Sequence, residues 1–231
     1  MNQVLRQEKK YLLTLEQYYQ LSHRIGKIIC EDSHNTGDGY PIRSLYFDTI
    51  EDKDFCEKEA GILLRKKLRL RNYGAASDMA VLEMKQKQGN LQKKRSLCMK
   101  KEDARRLIQR DYGVLRRYPE EFAAECYSLM TSLCYIPKTV VEYRRRAFIA
   151  KENSIRITFD HHITGTESNY DIFSPVLLQY PVLEPYLVVL EVKFNNFLLS
   201  YIKDALQECG IGETSVSKYC LARAVSTHYH F

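Results

Sequence analysis

Polar and apolar positions alternate with a period of two along several stretches of this chain. That pattern predicts strands, because successive strand side chains point to opposite faces. In residues 6–11, Arg6, Glu8 and Lys10 share a face; in 64–71, Arg65, Lys67, Arg69 and Arg71 share one opposite Leu64, Leu68 and Leu70. In 81–87, Glu83, Lys85 and Lys87 oppose Leu82 and Met84, and Lys93 and Arg95 alternate next. Tyr143 and Arg145 align in 141–147; Arg156, Thr158 and Asp160 oppose Ile155, Ile157 and Phe159; Glu191 and Lys193 oppose Val188, Leu190, Val192 and Phe194. Helical spacing appears between these runs. Residues 14–30 open with Thr14 and Gln17, a capping-box pair, and carry Leu15, Tyr18, Leu21, Ile25 and Ile28 on one face. Further helices are predicted over 102–112 before Gly113, over 119–134 from Pro119, over 196–209 before Gly210, and from Ser217 onward.

Strand after strand therefore has one apolar and one charged face. For a single strand, an antiparallel sheet with its polar face in water accounts for this. The charges taken together do not fit that account. The faces hold eleven cations (Arg6, Lys10, Arg69, Arg71, Lys85, Lys87, Lys93, Arg95, Arg145, Arg156 and Lys193) even when Arg65 and Lys67 are left out, against four carboxylates, Glu8, Glu83, Asp160 and Glu191. A solvent face mixes signs more evenly, and such a set repels itself unless an anion sits among it. Strands this numerous can close into a barrel. Closure would put the charges inside and the apolar faces under the helices, which requires a wet lumen holding a highly charged ligand. Arg forks and Lys point charges suit phosphate oxygens.

Composition adds bounds. The 231 residues, 45% hydrophobic with a net charge of +6, fit one domain over 1–231, and no Pro/Gly/Ser linker divides them. No apolar run approaches the roughly 20 residues of a membrane span. Seven cysteines at wide spacings, without a CxxC pair, argue against a thiolate zinc site and for a reduced, cytoplasmic setting. Aromatic-interleaved motifs of nucleic-acid readers are missing. Lys9, Lys94, Lys100 and Lys101 read as plain surface charges, Lys66, Arg144 and Arg146 as lying on faces opposite their charged neighbours, and His161 and His162 as loop residues after a strand.

An ordered set of short motifs narrows the reading: Arg6-Gln-Glu8-Lys-Lys10-Tyr11, Ile42-Arg-Ser-Leu-Tyr46-Phe-Asp48, Arg69-Leu-Arg71-Asn-Tyr73, Glu83-Met-Lys85-Gln-Lys87, Val141-Glu-Tyr143-Arg-Arg145, Arg156-Ile-Thr-Phe-Asp160, Glu191-Val-Lys193 and Ser217-Lys218-Tyr219. In this order, from Arg6 to Tyr219, they resemble the VTC-type polyphosphate-polymerase domain of the CYTH-like, or triphosphate tunnel, superfamily. The resemblance implies an α+β fold, a closed eight-stranded antiparallel β-tunnel with a basic lumen flanked by helices. It also implies ATP-dependent elongation of polyphosphate with Mn2+ or Mg2+. By the same resemblance Lys10, Arg69, Arg71, Lys85, Lys93, Arg145, Arg156 and Lys218 contact phosphates, Tyr143 and Ser217 add hydroxyl groups, and Glu191 is the main metal ligand, with Glu8 beside it. Lys87, Lys193 and Arg95 are further lumen residues. The family makes a membrane-protein partner plausible.

Two departures qualify the match. Hydrolases of the superfamily open on Glu-x-Glu-x-Lys, whereas this chain has Arg6 in the first position, a loss that VTC-type members share. Where eukaryotic VTC domains are expected to carry a histidine, this chain has Lys87. Lys218 at a helix start opposes the helix dipole, a conflict that a nearby phosphate removes. A tri- or polyphosphate hydrolase and a non-catalytic polyphosphate- or nucleotide-binding module remain the rival functions, separated from the polymerase by the products formed.

Overall fold

The structure, a computed structural model, describes residues 6–89, 91–208, 210 and 212–228. Its strands are β1 (Arg6–Thr14), β2 (Cys30–Glu31), β3 (Tyr40–Thr49), β4 (Leu64–Asn72), β5 (Met79–Gln88), β6 (Leu91–Lys100), β7 (Tyr135–Ala150), β8 (Ile155–Thr166), β9 (Tyr180–Pro181) and β10 (Leu187–Asn195). The helices are α1 (Leu15–Gly26), α2 (Lys53–Glu59), α3 (Lys101–Ile108), α4 (Glu121–Ser132), α5 (Ser200–Glu208) and α6 (Lys218–His228).

The capping box at the head of α1 is present: the Gln17 N–H donates to the Thr14 hydroxyl at 3.2 Å, and the Thr14 N–H donates to the Gln17 side chain at 2.9 Å. This helix ends at Gly26, four residues before the predicted limit, because the chain turns there and enters β2 at Cys30. The predicted end of α5 at Cys209 lies outside the described residues. The predicted strand over 141–147 is the middle of a 16-residue strand, β7. His161 and His162 are not loop residues: both lie in β8, and His161 is buried.

The ten strands form an antiparallel sheet with the order β1-β10-β8-β7-β3-β4-β5-β6, with β2 on β7 and β9 on β8. This differs from a closed eight-stranded tunnel. Eight strands lie on the main path, two more lie off it, and among the described residues the order has two ends, β1 and β6. Alternation along a strand specifies its faces and says nothing of which edges meet, and β2 and β9 are too short to show any period.

Two compact units make up the chain: residues Met1–Pro41, Tyr143–Ile163 and Leu183–Ser217, and residues Ile42–Glu142, Thr164–Val182 and Lys218–Phe231. Divisions fall within β3, β7 and β8. In the first unit the apolar face of β1, β10 and β8 (Leu13, Leu190, Val192, Ile157, Phe159) packs on Tyr18, Leu21 and Ile25 of α1 and on Ile202 of α5. In the second, Leu68, Leu70, Leu82, Met84, Leu97 and Met99 of β4, β5 and β6 pack on Leu107 of α3, Val114, and Phe122 and Met130 of α4. Each fully buried apolar side chain contributes about 1.5–3 kcal/mol, so these faces fix which strand positions look the other way. No helix of the described residues is long and apolar enough to cross a membrane.

Candidate functional site

With Leu68, Leu70, Leu82 and Met84 committed to the core, the opposite face of β4 and β5 must carry Arg65, Lys67, Arg69, Arg71, Glu83, Lys85 and Lys87. The pairing aligns Arg69 with Glu83, Lys67 with Lys85 and Arg65 with Lys87. Glu83 is 1% exposed and organises the cations around it. Arg69 reaches its Oε2 at 2.7 Å, Arg71 reaches Oε1 at 3.1 Å, and Lys94 also pairs with Oε1. Burial by itself would raise the Glu83 pKa. The charges of Arg69, Arg71 and Lys94 outweigh that and pull it from 4.5 down to about 2. One row further along, Lys67, Lys85 and Lys94 occupy matched positions on three neighbouring strands. Like charges directly opposite one another destabilise a sheet.

Lys94 rather than Lys93 belongs to this face. Strand β6 aligns Lys94 with Lys85 and Ser96 with Glu83, whereas Lys93 lies opposite Gln86 and Arg95 opposite Met84. Lys93 and Arg95 thus share the side of Leu97 and Met99. There Arg95 pairs with Glu125 of α4, donates to Gln86 at 2.8 Å, and lies 5.2 Å from the Phe122 ring. The period-two reading placed Lys93 and Arg95 with the charged faces and Lys94 at the surface; the buried Leu97 and Met99 set the opposite parity. Lys66, Arg144 and Arg146 point away from the charged faces as predicted, toward Asp54, Asp38 and Glu31 respectively.

At the head of α6, Lys218 is buried, and Tyr219 beside it donates to Asp48 Oδ2 at 2.6 Å. The backbone N–H groups of Thr49, Asp54 and Phe55 also donate to Asp48. The Tyr219 ring stacks on Tyr46 at 5.0 Å, and the Lys67 ammonium lies 5.9 Å from its centre. Asp48, Tyr46 and Tyr219 carry no charge pattern of their own, and only their place in the motifs marked them.

The first unit carries a second charged face. Lys10 is aligned with Glu191, Glu8 with Lys193, and Lys193 with Arg156. Alternating signs on β1 and β10 give a checkerboard. Lys10 Nζ lies 3.4 Å from Glu8 and 3.5 Å from Glu191, and donates to the Val216 carbonyl at 3.0 Å; Lys193 Nζ lies 2.8 Å from Glu191 and 3.8 Å from Glu8. Arg145 makes a bidentate bond to buried Asp160 at 2.6 and 2.7 Å and sits 3.8 Å from Glu191. Burial opposes its charge, but Asp160 more than restores it, so its pKa rises well above the ordinary arginine value. Its guanidinium lies 5.4 Å from the ring of Tyr143, itself 2% exposed. Arg156 donates to Asp32 at 2.7 Å and to the Tyr40 hydroxyl at 3.1 Å. Burial raises the Asp32 pKa, but bonds from the ring and backbone of His34 and the Arg156 charge lower it overall. Asp32 and Tyr40 carry no strand-period signal, and sequence reasoning missed both. Ser217 lies half-buried just before α6. The Arg6 side chain is outside the described residues.

Among the described residues no group of three or more His, Cys, Asp or Glu side chains is placed to hold a metal ion. Glu8 and Glu191 nevertheless form a pair of carboxylates that share the same two lysines. Magnesium-type ions are commonly held by one or two carboxylates, with phosphate oxygens and water completing the shell. The two residues fit that donor set.

A family model described as the VTC domain matches residues 5–227. No curated protein matches the chain. Among solved structures, a candidate adenylyl cyclase from Hippeastrum, described as having a dominant triphosphatase activity, is similar with a TM-score of 0.58 and 13% identity over 94% of this chain and 95% of that one. A candidate adenylate cyclase from Bacillus halodurans is similar with a TM-score of 0.53 and 13% identity over 92% of this chain and 95% of that one. At such identity the likeness is one of fold.

Proposed function

We propose, since this chain belongs to the VTC domain family, that it is an ATP-dependent polyphosphate polymerase acting as one domain, with the charged strand faces binding the phosphates. The row Lys67–Lys85–Lys94 carries the reading. Three lysines matched across three strands, beside a carboxylate that gathers Arg69, Arg71 and Lys94, form a positive stripe that a polyanion would neutralise. The reaction moves the γ-phosphoryl group of ATP to the end of a polyphosphate chain and releases ADP. The attacking terminal phosphate is already anionic near neutral pH, so no strong general base is needed. Catalysis then rests on alignment and on neutralising charge. Arg69, Arg71, Lys85 and Lys94 hold one stretch of phosphates, with Lys87 and Lys218 beside them; Lys10, Arg145, Arg156 and Lys193 hold another. A divalent cation, manganese or magnesium, held by Glu191 and Glu8, supplies charge neutralisation at the transferred group. Lys93 and Arg95, on the other side of β6, are not needed for this reading.

A hydrolase would use the same cations with water as acceptor. The Glu8 and Glu191 pair is compatible with it, and Arg6 in place of a third carboxylate favours the polymerase. The test is product analysis of the purified protein with ATP and manganese, resolving ADP, free phosphate and polymer. ADP matched by growing polyphosphate is expected; free phosphate without polymer would move the protein to the hydrolase reading.

A further inference from the structure

The cation row of β4 ends in an aromatic. Arg65, Lys67, Arg69 and Arg71 occupy alternate positions of the strand, and Tyr73 is the next residue of the same parity, just past Asn72 and before Gly74, whose φ of +106° turns the chain away. The side chains confirm that the parity continues, since the Arg71 guanidinium lies 5.2 Å from the centre of the Tyr73 ring. Tyr73 is 52% exposed, the only aromatic more than a third exposed among the described residues of its unit. The other tyrosine of this face, Tyr46, is buried against Tyr219.

Alternate strand positions are about 6.6 Å apart. A ligand lying along β4 therefore meets an aromatic ring first, then the Arg71 guanidinium 5.2 Å from the ring centre, and then Arg69 one strand repeat, about 7 Å, further along the backbone. A nucleoside triphosphate has this order of parts: a planar base, a sugar spacer, then phosphates. Inorganic polyphosphate has only the last. Arg71 serves both halves, because the N–H edge of its planar guanidinium can donate to phosphate oxygens while its face stays on the ring.

We propose that Tyr73 is a nucleobase-stacking platform, which makes the Tyr73–Arg71–Arg69 line the nucleotide-binding end of the cation row. The inference rests on the phosphate-binding reading of this face and adds a specificity residue to it. Stacking tolerates any base, so the platform selects nucleotides over inorganic chains rather than adenine over other bases.

The test is equilibrium binding of ATP and of inorganic tripolyphosphate to the full chain, wild type against Tyr73→Ala and Tyr73→Phe. Tyr73→Ala should weaken ATP about tenfold, within the range of a base–aromatic stack, and leave tripolyphosphate within about twofold. Tyr73→Phe, which keeps the ring, should bind both like the wild type. Equal losses for the two ligands in Tyr73→Ala would reduce Tyr73 to a support for Arg71 and overturn the platform, as would an unchanged ATP affinity. A wild-type protein that bound neither ligand would overturn the phosphate-binding reading of the face, and the platform with it.

Discussion

Replacing Glu83 by Gln should destabilise the free protein and make a polyanion a stronger stabiliser of the variant than of the wild type. The side chain is 1% exposed, with Arg69 at 2.7 Å, Arg71 at 3.1 Å and Lys94 also on its carboxylate. Two routes give similar magnitudes. Removing one member of a buried ion pair costs about 3–5 kcal/mol. The fall of the pKa from 4.5 to about 2, at about 1.4 kcal/mol per pH unit, corresponds to roughly 3 kcal/mol of folded-state preference for the carboxylate. For a chain of this size, about 2–4 °C per kcal/mol applies, so the Tm of Glu83→Gln should lie about 6–12 °C below the wild type at pH 7. Because the folded pKa is depressed, the wild-type advantage is present above about pH 4.5 and is lost as pH falls toward about 2. Tripolyphosphate should then raise the Tm of the variant more than that of the wild type, since it restores the counter-charge that Gln lacks. Thermal denaturation with and without saturating tripolyphosphate reads both effects. A variant within about 2 °C of the wild type, or equal gains from the ligand, would refute the view that Glu83 holds a cation cluster built for phosphate.

Glu191→Gln should abolish metal-dependent turnover while circular dichroism stays unchanged; wild-type activity in that variant would remove Glu191 from the metal site. Lys94→Ala should weaken tripolyphosphate binding severalfold and Lys93→Ala by less than about twofold, measured by titration under one salt condition; the reverse ranking would contradict the register of β6. Asp54 is buried beside Asp48, and burial first and the Asp48 charge second raise its pKa from 3.8 to about 7 against the opposing charge of Lys66. Its ionisation is therefore a penalty that builds from about pH 4 to about pH 7 and is complete above that. Asp54→Asn should gain on the wild type by about 4 kcal/mol between pH 4 and pH 8, read from urea midpoints; parallel curves would show that the carboxyl ionises freely.

How much could be read in advance followed from how strongly each residue is tied to a neighbour in sequence. The faces of β4, β5, β8 and β10 were legible because neighbouring apolar residues hold one parity at the centre of each strand: Leu68 and Leu70, Leu82 and Met84, Ile155, Ile157 and Phe159, and Val188, Leu190, Val192 and Phe194. The head of α1 was legible because Thr14 and Gln17 satisfy each other locally. Strand β6 was misread from its charges. Lys93 and Arg95 look like a cation stripe, yet Leu97 and Met99 have the same parity and are buried, and burial of an apolar side chain outweighs the cheap re-aiming of an Arg, whose stem packs on apolar surface while its head finds Glu125. Arg156 was visible, but not its anchor, since Asp32 lies 124 residues away and meets it only in the fold. The same holds for Tyr219 and Asp48, 171 residues apart.

The two charged faces differ in a way that a total of +6 conceals. On the face of β4, β5 and β6, Arg65, Lys67, Arg69, Arg71, Lys85, Lys87 and Lys94 share the described positions with one carboxylate of these strands, Glu83. In the first unit, Lys10, Arg145, Arg156 and Lys193 are matched by Glu8, Asp32, Asp160 and Glu191. An anion gains directly from the first set, whose charges otherwise repel, and that gain is partly screened by salt where the lysines are exposed. It gains little from the second set, where each cation already has a carboxylate, unless a further positive charge arrives with it. A divalent cation is that charge. Under the proposed function, the β4–β6 face would set affinity for the phosphate chain, and the β1–β10 checkerboard would make the bond-changing step depend on metal. Chain binding should therefore persist when the metal is chelated, while turnover stops.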